Sequence, residues 1–290
     1  MWNCQGRVDS VDESMLIAMK KAGLEHIQYG VESGSEKILS LYNKKITVEK
    51  ILNAAAITRR VGIYLSVYLM VGMKGETYSD IKKTKKLIAT MLPGDCVVSP
   101  VALYPGTKLY EEEKQRGVLD DSIWFTKKDA GIYLRNEPMI QEWMNDLLLQ
   151  TYNLRNKAWY MARDFALHRN VAGDCWVTDI LEGDYYLDNE MYPEASHVYA
   201  KVMNAMPDNP WGYMRYGKLH FAMGDFETAM ESFFEVTKIV PNYYGGWLKY
   251  AQASLALGIK DSARAAISKA MELNKYDERI RSLYTLLHKK

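Results

Sequence analysis

A 34-residue period runs through the C-terminal part of the chain and constrains its fold more than any other feature. The three units are residues 176–209, 210–243 and 244–277 of the 290-residue sequence. Each unit has a small residue at its eighth place, alanine at its twentieth and a large apolar residue at its twenty-fourth: Gly183, Gly217 and Ala251; Ala195, Ala229 and Ala263; Tyr199, Phe233 and Ile267. Small residues let two antiparallel helices approach closely, and the large ones fill the next groove. The period therefore predicts stacked helix pairs.

Proline stands at the thirty-second place of two units, where it would end the second helix, and Lys275 takes this place in the third. The pattern resembles tetratricopeptide repeats. Residues 176–290 are thus expected to be an all-α solenoid whose last segment, with Arg279 and Arg281, is a C-terminal capping helix. The resemblance implies a concave surface for a protein or peptide partner. Alternatively, the solenoid packs on the rest of the chain and stabilises it or a dimer. No lysine-arginine carboxylate clamp is evident in the first helices, so the ligand stays unnamed.

The first 117 residues alternate between apolar runs and helical patterns. Runs at 25–31, 63–71 and 96–103 predict strands, with a weaker one at 2–8. This alternation is typical of a parallel sheet with right-handed crossovers. A closed barrel of eight such units takes about 250 residues. We therefore expect a partial (β/α) barrel over 1–125, with an open first strand and an incompletely covered inner face. A helical bridge over 126–175 follows.

Polar residues follow the strand at 25–31, where Glu32, Ser33, Gly34 and Ser35 precede a helical pattern. Parallel α/β folds place small-molecule sites where a strand's carboxyl end meets a helix amino terminus, and the helix dipole there favours an anionic group. Glu32 is therefore a candidate binding residue. It could also simply cap the following helix or pair with Lys44.

Four stretches together resemble the later barrel strands of radical S-adenosylmethionine (SAM) enzymes, above all the cobalamin-binding class that includes anaerobic magnesium-protoporphyrin ester cyclase. The resemblance covers about residues 2–125, and its stretches are RVDSVDESMLIAMKKAG, IQYGVESGSEKIL, YLMVGMKGET and LYPGTKLYEEEKQRG. It implies a SAM site to which Glu32 is presented, in which Lys44 reaches the SAM carboxylate and Arg7 lines the substrate side. Arg7 could instead form a structural ion pair. The predicted cofactor-binding residues are Glu32, Ser33, Lys44, Tyr68, Gly72 and Tyr104. Tyr68 could instead be core packing.

One departure from that family is large. Its members hold a [4Fe–4S] cluster with a CxxxCxxC loop, whereas this chain has three scattered cysteines, Cys4, Cys96 and Cys175. We therefore expect the cluster and cobalamin only in a missing N-terminal half, supplied by a longer protein or by another chain. No metal ligand or catalytic residue is predicted here, and the chain alone is expected not to be catalytically competent. The alternative is a non-catalytic repeat protein that binds or scaffolds partners on a degenerate half-barrel.

Composition excludes some classes of function. Lys and Arg total 37 and Asp and Glu 36, a net charge of +1 that gives no general attraction to nucleic acid or anionic membranes. The longest apolar run, at 61–73, has 13 residues and is too short to span a bilayer. No signal peptide is visible, and the odd cysteine count gives no disulfide framework. A cytoplasmic protein is therefore predicted.

Overall fold

A computed structural model describes residues 1–126, 135 and 137–288 of the chain. Its contacts divide the chain into two compact units, Trp2–Tyr160 and Met161–Lys290. The stretch expected to be a bridge contributes one helix to each unit, and residues 127–134 and 136 of that stretch lie outside the described residues. Within the described ranges, no helix is both long and apolar enough to cross a membrane.

The first unit is built on a parallel sheet of four strands in the order β1–β2–β3–β4. The strands are β1 (Trp2–Gly6), β2 (Leu24–Glu32), β3 (Tyr64–Val71) and β4 (Asp95–Pro100). Its helices are α1 (Glu13–Lys21), α2 (Glu36–Leu41), α3 (Val48–Val61), α4 (Tyr78–Met91), α5 (Lys108–Gln115), α6 (Ile123–Thr126) and α7 (Pro138–Ala158). The predicted alternating, parallel α/β architecture is confirmed. Among the described residues, β1 pairs only with β2, so it is an edge strand.

Local signals fix the helix ends of this unit. The Asp12 carboxylate accepts from the Met15 N–H at 2.8 Å and starts α1, and the Thr47 hydroxyl oxygen accepts from the Lys50 N–H at 3.2 Å and starts α3. Gly62 ends α3 with a φ of 82°, a conformation that glycine adopts without strain. Gly62 thus marks the point at which the chain leaves α3 and turns into β3.

The two faces of the sheet differ in chemistry. Alternate residues of β2 and β3 are buried beneath the helices, among them Ile27, Tyr29, Leu65 and Val67. Most of the residues between them are partly exposed, and on this face the buried Ser66 hydroxyl is hydrogen-bonded to both His26 and Asp95. The helices therefore cover the apolar face. A polar face, which would be the interior of a closed barrel, lies on the other side.

The second unit consists of α8 (Ala162–Ala172), followed by seven helices that repeat in pairs. These are α9 (Trp176–Asp188), α10 (Tyr192–Ala205), α11 (Pro210–Met223), α12 (Phe226–Ile239), α13 (Tyr244–Ala256), α14 (Lys260–Leu273) and α15 (Glu278–His288). The first helices begin at 176, 210, 244 and 278, and thus at intervals of 34 residues. The predicted all-α solenoid and its final helix are confirmed, with residues 289–290 outside the described part.

In the first two repeats, the small residue at the eighth place directly contacts the large residue at the twenty-fourth place. A Cβ atom added to Gly217 would lie 2.7 Å from the Phe233 ring, and one added to Gly183 would lie 2.3 Å from the Tyr199 ring. Phe233 also shares a core with Ala253 of the next repeat. The large residue therefore packs within its own repeat as well as against the following one, whereas the sequence predicted only the second contact.

Replacing Gly217 by alanine should destabilise the second unit by about 1–3 kcal/mol, because the Phe233 ring leaves no room for a methyl group. This loss should outweigh the roughly 0.5–1 kcal/mol that alanine gains over glycine inside a helix. Urea unfolding followed by circular dichroism measures the change. Gly245→Ala is the matched control, because the three atoms nearest to its added Cβ all belong to the Tyr243 side chain, which is exposed and can move. A Gly217→Ala variant as stable as wild type would contradict the packing described.

Candidate functional site

An ion pair between Glu32 and Lys44 lies at the carboxyl end of β2. Lys44 Nζ donates to Glu32 Oε1 at 2.5 Å, and Glu32 is 7% exposed. Ser35 occupies the N-cap position of α2, so Glu32 does not cap this helix. The structure thus shows the predicted pairing between Glu32 and Lys44 and places a buried, charge-assisted hydrogen bond at the edge where parallel sheets bind ligands.

The backbone around this pair adopts unusual conformations. Glu32 has a φ of 66°, and Asn43 and Lys45, on either side of Lys44, have φ values of 52° and 58°. Such left-handed backbone costs about 1 kcal/mol or more for most non-glycine residues and persists where its surroundings enforce it. Arg7 contributes to this enforcement, since its Nη2 donates to the Lys44 carbonyl at 3.3 Å. Strained backbone concentrated on two paired charges is typical of a functional site.

Gly30 makes room for the pair, although it is not among the predicted site residues. A Cβ atom at Gly30 would lie 2.8 Å from Glu32 Oε1 and 3.2 Å from Lys44 Nζ. The ladder between β2 and β3 is irregular between Gly30 and Glu32, which turns Glu32 at the strand end. A glycine inside a strand often marks a bulge or a close approach, so the signal was present in the sequence.

Ser33 uses its hydroxyl to shape the loop. Its oxygen accepts from the Ser35 N–H at 3.2 Å and shares a hydrogen bond of 3.3 Å with the Thr84 hydroxyl of α4. The Gly34 N–H donates to the same Thr84 oxygen at 2.9 Å, and a Cβ at Gly34 would lie 2.6 Å from the Lys83 carbonyl. These contacts press the loop against α4. The predicted contact between Ser33 and SAM stays a prediction.

Asp80 of α4 holds the loop between β2 and α2 in place through hydrogen bonds. It is 2% exposed and accepts from the Ser35 hydroxyl at 2.7 Å, the Thr77 hydroxyl at 2.9 Å and Lys37 Nζ at 3.2 Å. Burial by itself would raise the pKa of Asp80, but these hydrogen bonds outweigh it and hold the pKa well below its usual value of 3.8. Asp80 is a positioning residue that the sequence indicated only as the fourth residue of a capping box beginning at Thr77.

Two buried polar atoms near β3 have no hydrogen-bond partner within the described residues. They are Glu76 Oε1 and the Tyr42 hydroxyl. The other Glu76 oxygen, Oε2, accepts from the Gly72 N–H at 2.7 Å and the Met73 N–H at 3.2 Å, in a turn where Gly72 has a φ of 94°. Burial raises the pKa of Glu76. Burial also raises the pKa of Tyr42, and the charges of Glu76 and Glu32 raise it further.

An unpartnered buried polar atom costs about 1–3 kcal/mol, so each of these atoms suits a polar ligand group. The electrostatic influence of both glutamates on Tyr42 places the three residues in one neighbourhood. Tyr42 and Glu76 are not among the predicted cofactor residues. The motif GMKGET, in which Glu76 stands, was the available signal.

Of the other predicted cofactor-binding residues, the fold brings only some close to Glu32. Tyr68 pairs with Gly30 across the β2–β3 ladder, and its hydroxyl accepts from Gln5 Nε2 at 3.2 Å on the polar face. Tyr104 is 61% exposed, and no described contact joins its side chain to Glu32 or Lys44. Tyr68 thus lies on β3, next to β2, and Gly72 lies in the turn that follows β3, while Tyr104 stands apart on the loop after β4.

The cysteines do not fit a [4Fe–4S] cluster. Cys4 lies on β1, Cys96 on β4 and Cys175 before α9, and none of the three forms a disulfide. A cluster needs three thiolates close together. Burial raises the pKa of both Cys4 and Cys96, which keeps these thiols protonated. In the described part of the chain, no group of three metal-ligating side chains is found.

Residues 3–88, which contain β1 to β3 and this edge, match the model of the radical SAM superfamily. The chain is similar to an uncharacterized methyltransferase of Pyrococcus horikoshii, with 28% identity over 52% of this chain and 33% of that protein. It is also similar to the anaerobic magnesium-protoporphyrin IX monomethyl ester cyclase of Rubrivivax gelatinosus, with 27% identity over 39% of this chain and 20% of that protein.

The chain spans a third or less of the length of these curated relatives. A structural neighbour covers the helical part instead. It is the first TPR of Spaghetti (RPAP3) bound to an HSP90 peptide, with 20% identity, a TM-score of 0.37, and coverage of 39% of this chain and 89% of that one. The chain thus combines a segment that matches the radical SAM model with helix pairs that recur every 34 residues.

Replacing Asp80 by asparagine should lower the free energy of unfolding by about 2 kcal/mol at neutral pH, because charge-assisted hydrogen bonds are lost. The folded state depresses the pKa of Asp80, so its stabilisation is complete above the ordinary value of 3.8 and falls as pH drops below it. The difference between wild type and variant should therefore shrink below about pH 4.

Urea unfolding at several pH values measures this difference. The control is Asp261→Asn, since the Asp261 side chain is 99% exposed and its loss should change stability by less than about 0.5 kcal/mol. A wild type–Asp80→Asn difference that stays constant from neutral pH to pH 3 would show that the Asp80 charge does not anchor the loop.

Proposed function

We propose that the first unit forms one side of the SAM site of a radical SAM enzyme. The observation that carries the proposal is the buried Glu32–Lys44 pair on strained backbone, at the carboxyl edge of the sheet and inside the radical SAM segment. Polar groups with unused hydrogen-bonding capacity stand beside it. This combination suits a small zwitterionic ligand better than it suits a purely structural ion pair.

The residues at this edge fit the polar groups of SAM. Lys44 Nζ carries three N–H donors and uses one on Glu32, which leaves donors for the SAM carboxylate. The second Glu32 oxygen would accept from the SAM ammonium or a ribose hydroxyl. Glu76 Oε1 and the Tyr42 hydroxyl offer further unpartnered polar atoms. Bound SAM would supply the adenosyl group on which the superfamily's chemistry depends, and the residues named here would bind and orient it.

The cluster and cobalamin would belong to a separate half of the enzyme, in the same polypeptide or in another chain, and the residues described would not be catalytic without it. The exposed edge of β1 supports this arrangement, because unpaired backbone groups of an edge strand readily accept a further strand. A cytoplasmic location fits three cysteines that form no disulfide, since reducing compartments disfavour disulfides.

Replacing Lys44 by methionine should weaken SAM binding about tenfold, because a charge-assisted hydrogen bond to the ligand carboxylate is lost. Equilibrium dialysis with labelled SAM measures the affinity. Lys45→Met is the matched control: it removes the same charge from the next residue, whose side chain is exposed, and should leave binding unchanged.

Methylthioadenosine, which lacks the amino-acid part of SAM, sharpens this test. Its affinity should be the same for wild type and Lys44→Met. The assignment of Lys44 is wrong if both lysine variants weaken SAM binding equally, or if Lys44→Met weakens methylthioadenosine binding as much as SAM binding. A wild-type chain that binds neither compound would favour the second candidate function.

That second candidate is a non-catalytic interaction protein, in which a degenerate half-barrel supports the helical repeats. The regular 34-residue spacing of the first helices favours a docking role for the repeats under either function, since such stacks present one extended surface. The RPAP3 repeats hold an HSP90 peptide in their structure, and a protein or peptide segment is likewise the partner proposed here. The balanced charge of the chain favours neither nucleic acid nor membrane.

A further inference from the structure

A cavity lies at the amino ends of β2, β3 and β4, at the opposite end of the strands from the Glu32–Lys44 pair. Its volume is about 190 Å³, roughly that of six water molecules in the liquid. Six residues of β2 lead from this end of the sheet to Glu32, a distance of about 20 Å along the strand. The lining residues that bear on its chemistry, all in the first unit, are Glu25, His26, Tyr64, Ser66, Asp95 and Trp159.

Two aromatic rings form a corner of this cavity. The ring centroids of Tyr64 and Trp159 lie 5.2 Å apart, and the ring planes make an angle of 69°. Tyr160 stacks on Tyr64 at 4.8 Å, and its hydroxyl donates to the Ile63 carbonyl at 2.7 Å, so Tyr64 is held in place. Arg59 lies over the Tyr160 ring, with its Cζ 5.5 Å from the centroid. This group of rings thus already contacts one cation of the chain itself.

Trp159 keeps much of its surface available to a ligand. It is 55% exposed, although tryptophan is highly buried on average in folded proteins. An indole ring has a large apolar face, and this face attracts cations through the charge distribution of the ring. An exposed tryptophan at a cavity is therefore suited to stacking against a flat or positively charged group.

Ser66 connects the polar side chains of the cavity. Its single hydroxyl proton is donated to Asp95 Oδ1, so its oxygen accepts from His26 Nε2. A neutral imidazole that carries its proton on Nε2 has an acceptor lone pair on Nδ1. Ser66 is buried, which fixes this chain of hydrogen bonds at the floor of the cavity. Asp95 and His26 are thereby left with acceptors, not donors, for a ligand.

Asp95 supplies negative charge to the cavity. Within the described residues it forms no ion pair, and its second oxygen, Oδ2, accepts no hydrogen bond. Glu25 adds a second carboxylate to the lining, and neither lysine nor arginine is among the described residues that line the cavity. A cation bound here would be attracted both by the Asp95 carboxylate and by the aromatic corner.

We propose that this cavity binds a small organic cation of the guanidinium type. A guanidinium group is planar, carries five N–H donors, pairs with carboxylates and stacks on aromatic rings. Trp159 would provide the stacking surface, and Asp95 Oδ2 and His26 Nδ1 would accept from the N–H groups. A phosphate or carboxylate ligand suits the cavity less well, because Asp95 would repel it. This inference does not depend on the SAM site proposed above.

Fluorine NMR of the whole chain labelled with 5-fluorotryptophan tests the proposal. The Trp159 signal is identified by its loss in a Trp159→Phe variant. Ethylguanidinium is the probe, and ethylurea is the comparator, since it has the same shape and number of non-hydrogen atoms but no charge. Ethylguanidinium should shift the Trp159 signal saturably, with a Kd of roughly 1–10 mM for so small a ligand. Ethylurea should cause no saturable shift.

Asp95→Asn should weaken ethylguanidinium binding at least about fivefold, because asparagine can still accept from Ser66 but carries no charge. The matched control is Asp261→Asn, which makes the same change in net charge at an exposed side chain of the second unit and should leave the Kd within about twofold. Circular dichroism checks the fold. Should Asp95→Asn unfold, a salt titration of wild type replaces it, and the affinity should fall as salt rises.

The proposal is overturned if the Trp159 signal does not respond to ethylguanidinium, if ethylurea shifts it equally, or if both asparagine variants weaken binding to the same extent. SAM is added to the same samples and should leave the ethylguanidinium affinity unchanged, because the two sites lie at opposite ends of the strands. Competition between SAM and ethylguanidinium would overturn the assignment of a separate cation site. A chain that binds ethylguanidinium but not SAM would count against the proposed SAM site alone.

Discussion

The parallel register of β2 and β3 is the constraint on which the candidate site depends. It brings the end of β2 beside Leu69, near the end of β3, so that Glu32 stands at the same edge of the sheet as the Gly72 turn. The charge at this edge is stable because Lys44 reaches it, Gly30 leaves space for both side chains, and α4 supports the loop through Asp80. Removing Lys44 would leave the buried Glu32 carboxylate without its ion-pair partner, which costs several kcal/mol in other proteins.

Much of the fold could be predicted because its signals are local. Asp12 and Thr47 mark helix starts, Gly62 marks a helix end, and the 34-residue period fixes where seven helices begin. The candidate site was predicted only in part. Glu32 and Lys44 lie 12 residues apart and form the pair that was one of the alternatives considered, whereas their binding of SAM stays a prediction.

The interactions that escaped prediction join distant parts of the sequence. Ser35 meets Asp80 across 45 residues, and Tyr42 and Glu76 acquire their unusual surroundings only when α2 and β3 fold together. Such contacts leave no local signal in the sequence.

The residues at the eighth and twenty-fourth places of a repeat pack directly against each other. This contact affects how the sequence of the second unit can change during evolution. Since Gly217 meets Phe233 within one repeat, a substitution at either place can be offset by its neighbour without disturbing distant modules. Surface positions of the repeats lie outside that pairing. Partner preference could thus drift through a few exchanged side chains while the architecture is inherited intact, and whole modules could be duplicated or lost without redesigning the rest.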